Sequence, residues 1–305
     1  MKAPTIHRAW LRPDLWRRFR TGVSLHSHTC HSRERIGPLE WRPPIAPREA
    51  WQLERAQIET ALQRPALISI TDHDNIDAPL RLRVLSDSRN VPVSLEWTVP
   101  FHETEFHLGL HNLPPRRAHE RMAALERHTK DPRWADLEGL LDWTVQDPET
   151  LVVFNHPCWD ERRVGPELHM RRAGEFIRRY RPHLHALELN GLRPWAENRR
   201  TVELSLRCGL PVVSGGDRHA LEPNALLNLT CAATFSEFVE EVRAYGRSEA
   251  LIMPQYRKPL ALRVARMVAE VIHQRPRHTS GIIDINVEPL SSDPIHPSRR
   301  LFSNH

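Results

Sequence analysis

The stretch LHSHTCHS, residues 25–32, decides how this chain is read. It closes a short apolar run and places His26 and His28 two residues apart. Side chains two apart on a strand share a face, so both imidazoles can meet one metal ion. Three later stretches repeat the pattern of an apolar strand running into His or Asp: ISITDHD at 68–74, VVFNHP at 152–157 and VVSGGDRH at 212–219. One such ending carries little weight, but four form a constellation.

Around these stretches the chain alternates. Strands are expected at 22–26, 66–71, 91–97, 106–110, 151–154, 185–189 and 211–214, and helices at 47–64, 77–87, 115–129, 134–143, 166–180 and 195–208. The strands at 91–97 and 106–110 are too close for a helix between them, a local exception. Seven strands mostly separated by helices predict a parallel, barrel-like α/β domain. A short strand at 229–233 and helices at 236–245 and 259–274 follow. The expected organisation is an N-terminal arm at 1–20, the barrel domain at 21–246, a helical extension at 247–275 and a mobile tail at 276–305.

Composition bounds the function. The chain has 305 residues, is 40% hydrophobic and has a net charge of +5, carried almost wholly by arginine, with lysine only at positions 2, 130 and 258. Arginine's planar fork suits phosphate oxygens, but these arginines are dispersed among acids rather than gathered in blocks. In the arm, Arg8, Arg12, Arg17, Arg18 and Arg20 interleave with Trp10, Trp16 and Phe19. Such a mixture can bind nucleic acid; packing of the tryptophans on the domain surface is the preferred reading. No apolar run reaches the roughly 18 residues of a membrane span, and the first residues carry charges where a signal peptide needs its apolar core. A soluble, cytoplasmic protein is therefore expected. The four cysteines, Cys30, Cys158, Cys208 and Cys231, form no C-x-x-C pair and are expected to be reduced.

Functional residues in parallel α/β folds gather at the carboxyl ends of strands. Eight positions converge there if the barrel is right: His26, His28, His73, Glu96, His107, His156, Asp217 and His219. His102 and His111 compete with His107, and His111 shares its strand face. Imidazole and carboxylate donors suit zinc, manganese or iron rather than calcium or magnesium. So many ligands suit two or three divalent ions, with Glu96 a natural bridge because a carboxylate has two oxygens.

Through His26-x-His28, Thr71-Asp72-His73, Glu96, His107-Leu108-Gly109-Leu110, Asn155-His156-Pro157 and Asp217-x-His219, taken in order over about residues 21–235, the chain resembles the PHP (polymerase and histidinol phosphatase) superfamily of metal-dependent phosphoesterases. The resemblance implies a distorted seven-stranded barrel. It also implies one metal on His26, His28, Glu96 and Asp217, a second on Glu96, His107 and His156, and a third on His73 and His219. Family members commonly carry Ser-Asp-Gly soon after the HxH pair, where this chain has Ser32-Arg33-Glu34. Either Glu34 or His31 substitutes for that acid, or the third site is altered and Arg33 turns to the substrate. The expectation is two tight ions and a weak third.

The activity expected is hydrolysis of a small phosphate ester or nucleotide by a metal-activated water. Asp217 would orient that water, His219 or its metal would help the leaving oxygen, and Arg33 and Arg218 would contact phosphate. The alternatives are a nuclease acting on oligonucleotides and a metal-binding domain without activity. Nothing in the sequence specifies an oligomeric state.

Overall fold

The computed structural model describes residues 4–11, 14–36 and 39–273. In chain order the strands are β1 (Thr5–Arg8), β2 (Thr21–Ser24), β3 (Glu34–Ile36), β4 (Leu39–Trp41), β5 (Ala66–Ile68), β6 (Val93–Phe101), β7 (Thr104–Leu113), β8 (Leu151–Asn155), β9 (Ala186–Asn190), β10 (Val212–Gly215), β11 (Leu226–Thr230) and β12 (Glu249–Ile252). The helices are α1 (Pro47–Leu62), α2 (Asp77–Leu82), α3 (Ala118–Lys130), α4 (Trp134–Val145), α5 (Pro166–Tyr180), α6 (Trp195–Cys208), α7 (Phe235–Arg243) and α8 (Leu260–His273). Arg12 and the tail at 276–305 lie outside the described residues.

Local chemistry sets the helix ends. Pro166 opens α5 after Gly165, whose φ of 99° a side chain would strain. One face of α5 buries His169, Ala173, Phe176, Ile177 and Tyr180 at helical spacing. Gly209 closes α6 in the left-handed conformation at φ 74°.

The strands form two five-stranded sheets, β1-β12-β11-β2-β5 and β10-β9-β8-β7-β6, with β3 and β4 as a separate hairpin. The close pair foreseen near 91–110 is an antiparallel hairpin, β6 to β7, turned at His102 with φ 53°. β8 joins β7 antiparallel, and β9 and β10 continue in parallel. A closed seven-stranded barrel is not formed among the described residues. The two sheets instead meet at single parallel bridges, Ser27 with Arg218 and His73 with Glu96. Both bridges involve the chain just beyond β2 and β5, where it leaves the ladder and carries the histidine motifs. The main core lies against the second sheet, where the rings of Phe101, Phe106, Phe154 and Tyr180 pack at tilted or edge-on angles around fully buried Phe176.

The arm is part of the sheet. β1 pairs in parallel with β12, His7 Nε2 lies 2.7 Å from Glu249, and β12 pairs with β11. Ile6 and Trp10 pack against Leu189, Val212, Leu226, Ala250 and Ile252, and Trp16 and Phe19 pack beside Leu15 and Ile58. The tryptophans thus lie on the domain, as expected. All four cysteines are free. Among the described residues no helix is long and apolar enough to cross a membrane.

A candidate metal centre at the strand ends

Beyond β2 the chain delivers His26 and His28, both buried, to the centre of the molecule. Their Nε2 atoms lie 3.0 Å apart. Asp217 follows β10 at φ 55° and brings Oδ1 to 3.6 Å from His26 Nε2 and 3.4 Å from His28 Nε2. Its Oδ2 accepts from Asn190 Nδ2 at 3.1 Å.

Glu96, buried in the middle of β6, divides its two oxygens. Oε1 lies 3.1 Å from His156 Nε2 and 3.5 Å from His107 Nδ1, and accepts from Asn155 Nδ2 at 2.9 Å. Oε2 lies 2.9 Å from His26 Nε2, 3.3 Å from His28 Nε2 and 3.2 Å from His73 Nε2. All eight predicted ligand positions therefore gather, and four overlapping trios among them and Glu34 have the geometry to hold an ion: His26, Glu96 and His156; His26, His28 and Asp217; His28, Glu34 and His73; His73, Glu96 and His107.

Glu34 corrects the expectation of a third cluster without a carboxylate. Its Oε2 lies 3.4 Å from Nε2 of both His73 and His219. Alternation along β3 decides this: Glu34 turns inward and is buried, while Arg33 and Arg35 on either side are exposed. Across the hairpin Glu34 pairs with Trp41, whose ring lies 5.6 Å from that of His219. Neither His31 nor His219 enters any of the trios.

Glu188, a lone acid in the apolar strand β9, was not foreseen. Its Oε1 lies 2.6 Å from His26 Nδ1, and Oε2 accepts from the backbone N–H of His156 at 3.0 Å and from Asn190 Nδ2 at 3.1 Å. The signal was available, since Glu188 and Asn190 alternate onto one face of β9. Gly215 makes room for it, because a Cβ there would overlap Glu188 Oε1. Asp72 of the TDHD stretch clamps the first motif instead of joining the cluster, accepting from the N–H and hydroxyl of Thr29. Burial pushes its carboxyl up to about 6. His111 bonds Ser69 Oγ at 2.8 Å, and burial pushes it down to about 3; His102 sits at the β6–β7 turn.

Arg218 is a correction. Its Nε donates to Glu54 at 2.6 Å, Nη2 to Gln57 Oε1 at 2.8 Å and Nη1 to the Leu221 carbonyl at 3.1 Å, with the side chain 1% exposed and that of Glu54 fully buried. A guanidinium so occupied is a buried structural ion pair, not a phosphate contact. Arg33, by contrast, is exposed.

The donors fit a transition metal. A proton on His26 Nδ1 pointing to Glu188, and one on His28 Nδ1 pointing to Ser32 Oγ at 3.2 Å, leave two bare Nε2 lone pairs facing each other and Glu96 Oε2. Acceptors this close repel unless positive charge lies among them. His107 Nδ1 is buried with no hydrogen-bond partner among the described residues. Without a metal, protons must supply the charge. Burial opposes protonation of His26, yet Glu188, Glu96 and Asp217 outweigh it and hold the ring well above its ordinary value. Against the same burial, Glu34, Asp217 and Glu96 push His28 up to about 10, and Glu96 pushes His107 up to about 9. Glu96 and Asp217 are held well below the usual carboxylate range, burial being overcome by the surrounding imidazoles.

No family model and no curated protein matches the chain. Among solved structures it is similar to an amidohydrolase from Chromobacterium violaceum, with sulfate bound and no metal, at 17% identity over 80% of this chain and 96% of that one, TM-score 0.46. It is also similar to a protein of Bifidobacterium adolescentis proposed to be a metal-dependent phosphoesterase, at 17% identity over 75% of this chain and 99% of that one, TM-score 0.43.

Proposed function

We propose that this chain is a metal-dependent hydrolase of phosphoesters with the distorted barrel of the PHP type, acting on a small phosphate ester or nucleotide. The observation that carries the reading is Glu96, whose two oxygens address separate sets of imidazoles. The order of the motifs and the two bridges that seam the sheets support it. His26, His28, Glu96 and Asp217 would hold one ion, Glu96, His107 and His156 a second, and Glu34, His73 and His219 a third. Nitrogen and oxygen donors in this mixture suit manganese, zinc or iron.

When bound, such ions supply Lewis acidity, making water a nucleophile near neutral pH and neutralising phosphate oxygens. The chain's own groups then position the reaction. Asn190 fixes one oxygen of Asp217 and leaves Oδ1 to orient the attacking water. Glu188 holds His26 by Nδ1 and keeps Nε2 directed inward. His219, its Nδ1 3.0 Å from the Asp217 carbonyl, presents Nε2 on the side of Glu34 and assists the leaving oxygen. Arg33, exposed beside Glu34, contacts the substrate phosphate.

Trp10 and Trp16 are half-buried against the domain, which favours small esters over the nuclease reading. A screen of nucleotides, sugar phosphates and short oligonucleotides with added manganese tests the proposal. Turnover of small esters is expected; turnover of oligonucleotides alone would favour the nuclease, and none at all a metal-binding domain without activity.

A further inference from the structure

A small cleft adjoins the candidate centre and is lined by Asp217 and His219 together with Arg263 from α8. Arg263 is only 3% exposed. Its guanidinium lies 5.3 Å from the ring of Tyr256, and Nη1 donates to the Gly191 carbonyl at 2.7 Å. Tyr256 is itself anchored, accepting from Asn198 at 2.8 Å and donating to the Arg193 carbonyl at 2.7 Å. Nε is buried with no partner, and the guanidinium has no ion pair among the described residues.

A buried cation is costly without a close anion, and Glu222, the carboxylate that acts on Arg263, makes no ion pair with it. The carboxylate in the same cleft, Glu222, is already approached by Lys258 at 3.5 Å and Arg266 at 3.9 Å. Gly191 directly follows Asn190, which holds Asp217, so Arg263 sits at the same strand ends as the ligands. It is held by Tyr256 and the Gly191 carbonyl, and it lines a cleft that borders two residues of the centre.

We propose that Arg263 is an oxyanion-binding residue that anchors a phosphoryl group of the substrate beside Asp217 and His219. The inference rests on the phosphoester reading and adds a binding group from the C-terminal extension, outside the stretch that resembles the PHP superfamily. It also supplies the cationic contact that Arg218, committed to Glu54, cannot make.

The test is calorimetric titration of inorganic phosphate into metal-loaded wild type, Arg263→Met, Arg263→Lys and Arg266→Met, with thermal unfolding, metal content and aryl phosphate turnover measured on the same preparations. Arg263→Met is expected to bind phosphate at least about tenfold more weakly, because a charge-assisted donor is lost. Arg263→Lys should show a smaller loss, an ammonium lacking the planar fork. Arg266→Met removes a charge near Glu222 at the rim of the same cleft and should lose clearly less than Arg263→Met. Phosphate affinity within twofold of wild type in Arg263→Met, or an equal loss in Arg266→Met, overturns the assignment. Should Arg263→Met fail to fold, Arg263→Lys decides: weakened phosphate binding supports the proposal and unchanged binding overturns it. Wild type without metal or turnover overturns the functional reading alone, since the phosphate titration still reports on Arg263.

Discussion

Glu188→Gln changes one charge and almost no shape, and the structure sets its consequence. Glu188 receives His26 Nδ1 on one oxygen, and His156 N–H and Asn190 Nδ2 on the other. Glutamine offers one accepting oxygen and one donating NH2, so it cannot serve both sides. With its nitrogen towards His156 and Asn190, a donor faces two donors in a buried place, at about 1–3 kcal/mol. With its nitrogen towards His26, Nδ1 must accept and the ring proton moves to Nε2, the atom aimed at Glu96 and His28. Ligation through that atom is then blocked. Loss of a carboxylate that orients a metal-binding histidine typically costs about 10–100-fold in metal affinity. That range corresponds to about 1.4–2.7 kcal/mol, in line with the first figure. Competition with a chelator on wild type and variant reads the affinity, and thermal unfolding of the chelated proteins separates it from damage to the fold. A change in affinity below about threefold would refute this account of His26.

Other outcomes follow from the same geometry. Glu34→Ala should lose one ion and keep the others, counted by elemental analysis; an unchanged count removes Glu34 from the centre. Glu96→Ala should empty two sites together and abolish turnover, and near-normal turnover would show that its divided oxygens do not matter. Arg218→Met strands Glu54 and should destabilise the fold by about 3–5 kcal/mol, read by denaturant unfolding, with Arg218→Met/Glu54→Met recovering part of the loss. In the metal-free protein, His28 and His107 have folded values of about 10 and 9, above the ordinary histidine value. Their stabilisation is complete below about pH 6.5 and disappears as pH rises through those folded values. Metal-free protein should therefore lose stability between about pH 6.5 and 10, while metal-loaded protein should not, since ions replace the protons.

The centre was legible where a motif carried its own geometry. His26 and His28 share a face because strand residues alternate, and His73, His156 and Asp217 sit where apolar strands run out, whereas Glu96 and His107 lie within β6 and β7. Which way Glu34 and Arg33 point was not legible, because it depends on the β3–β4 hairpin, a three-residue pairing in a Pro-rich stretch. The fate of Arg218 was hidden by its partner: Glu54 sits mid-helix in α1, and only tertiary packing turns it inward against Ser27, Asn224 and the guanidinium. β1 and β12 escaped notice because they are short and pair across about the whole length of the chain, where no local turn signals the contact. The helices α5 and α6 were readable to the residue, since proline and glycine mark their ends.

The measurement that bears most directly on the central claim follows aryl phosphate hydrolysis by the purified protein before chelation, after chelation and after manganese is restored, with metal counted at each stage. Roughly three transition ions per chain are expected at saturation, with turnover that falls on their removal and recovers on their return. Fewer than one ion per chain from manganese- and zinc-supplemented medium, or turnover that survives complete chelation, would contradict that claim.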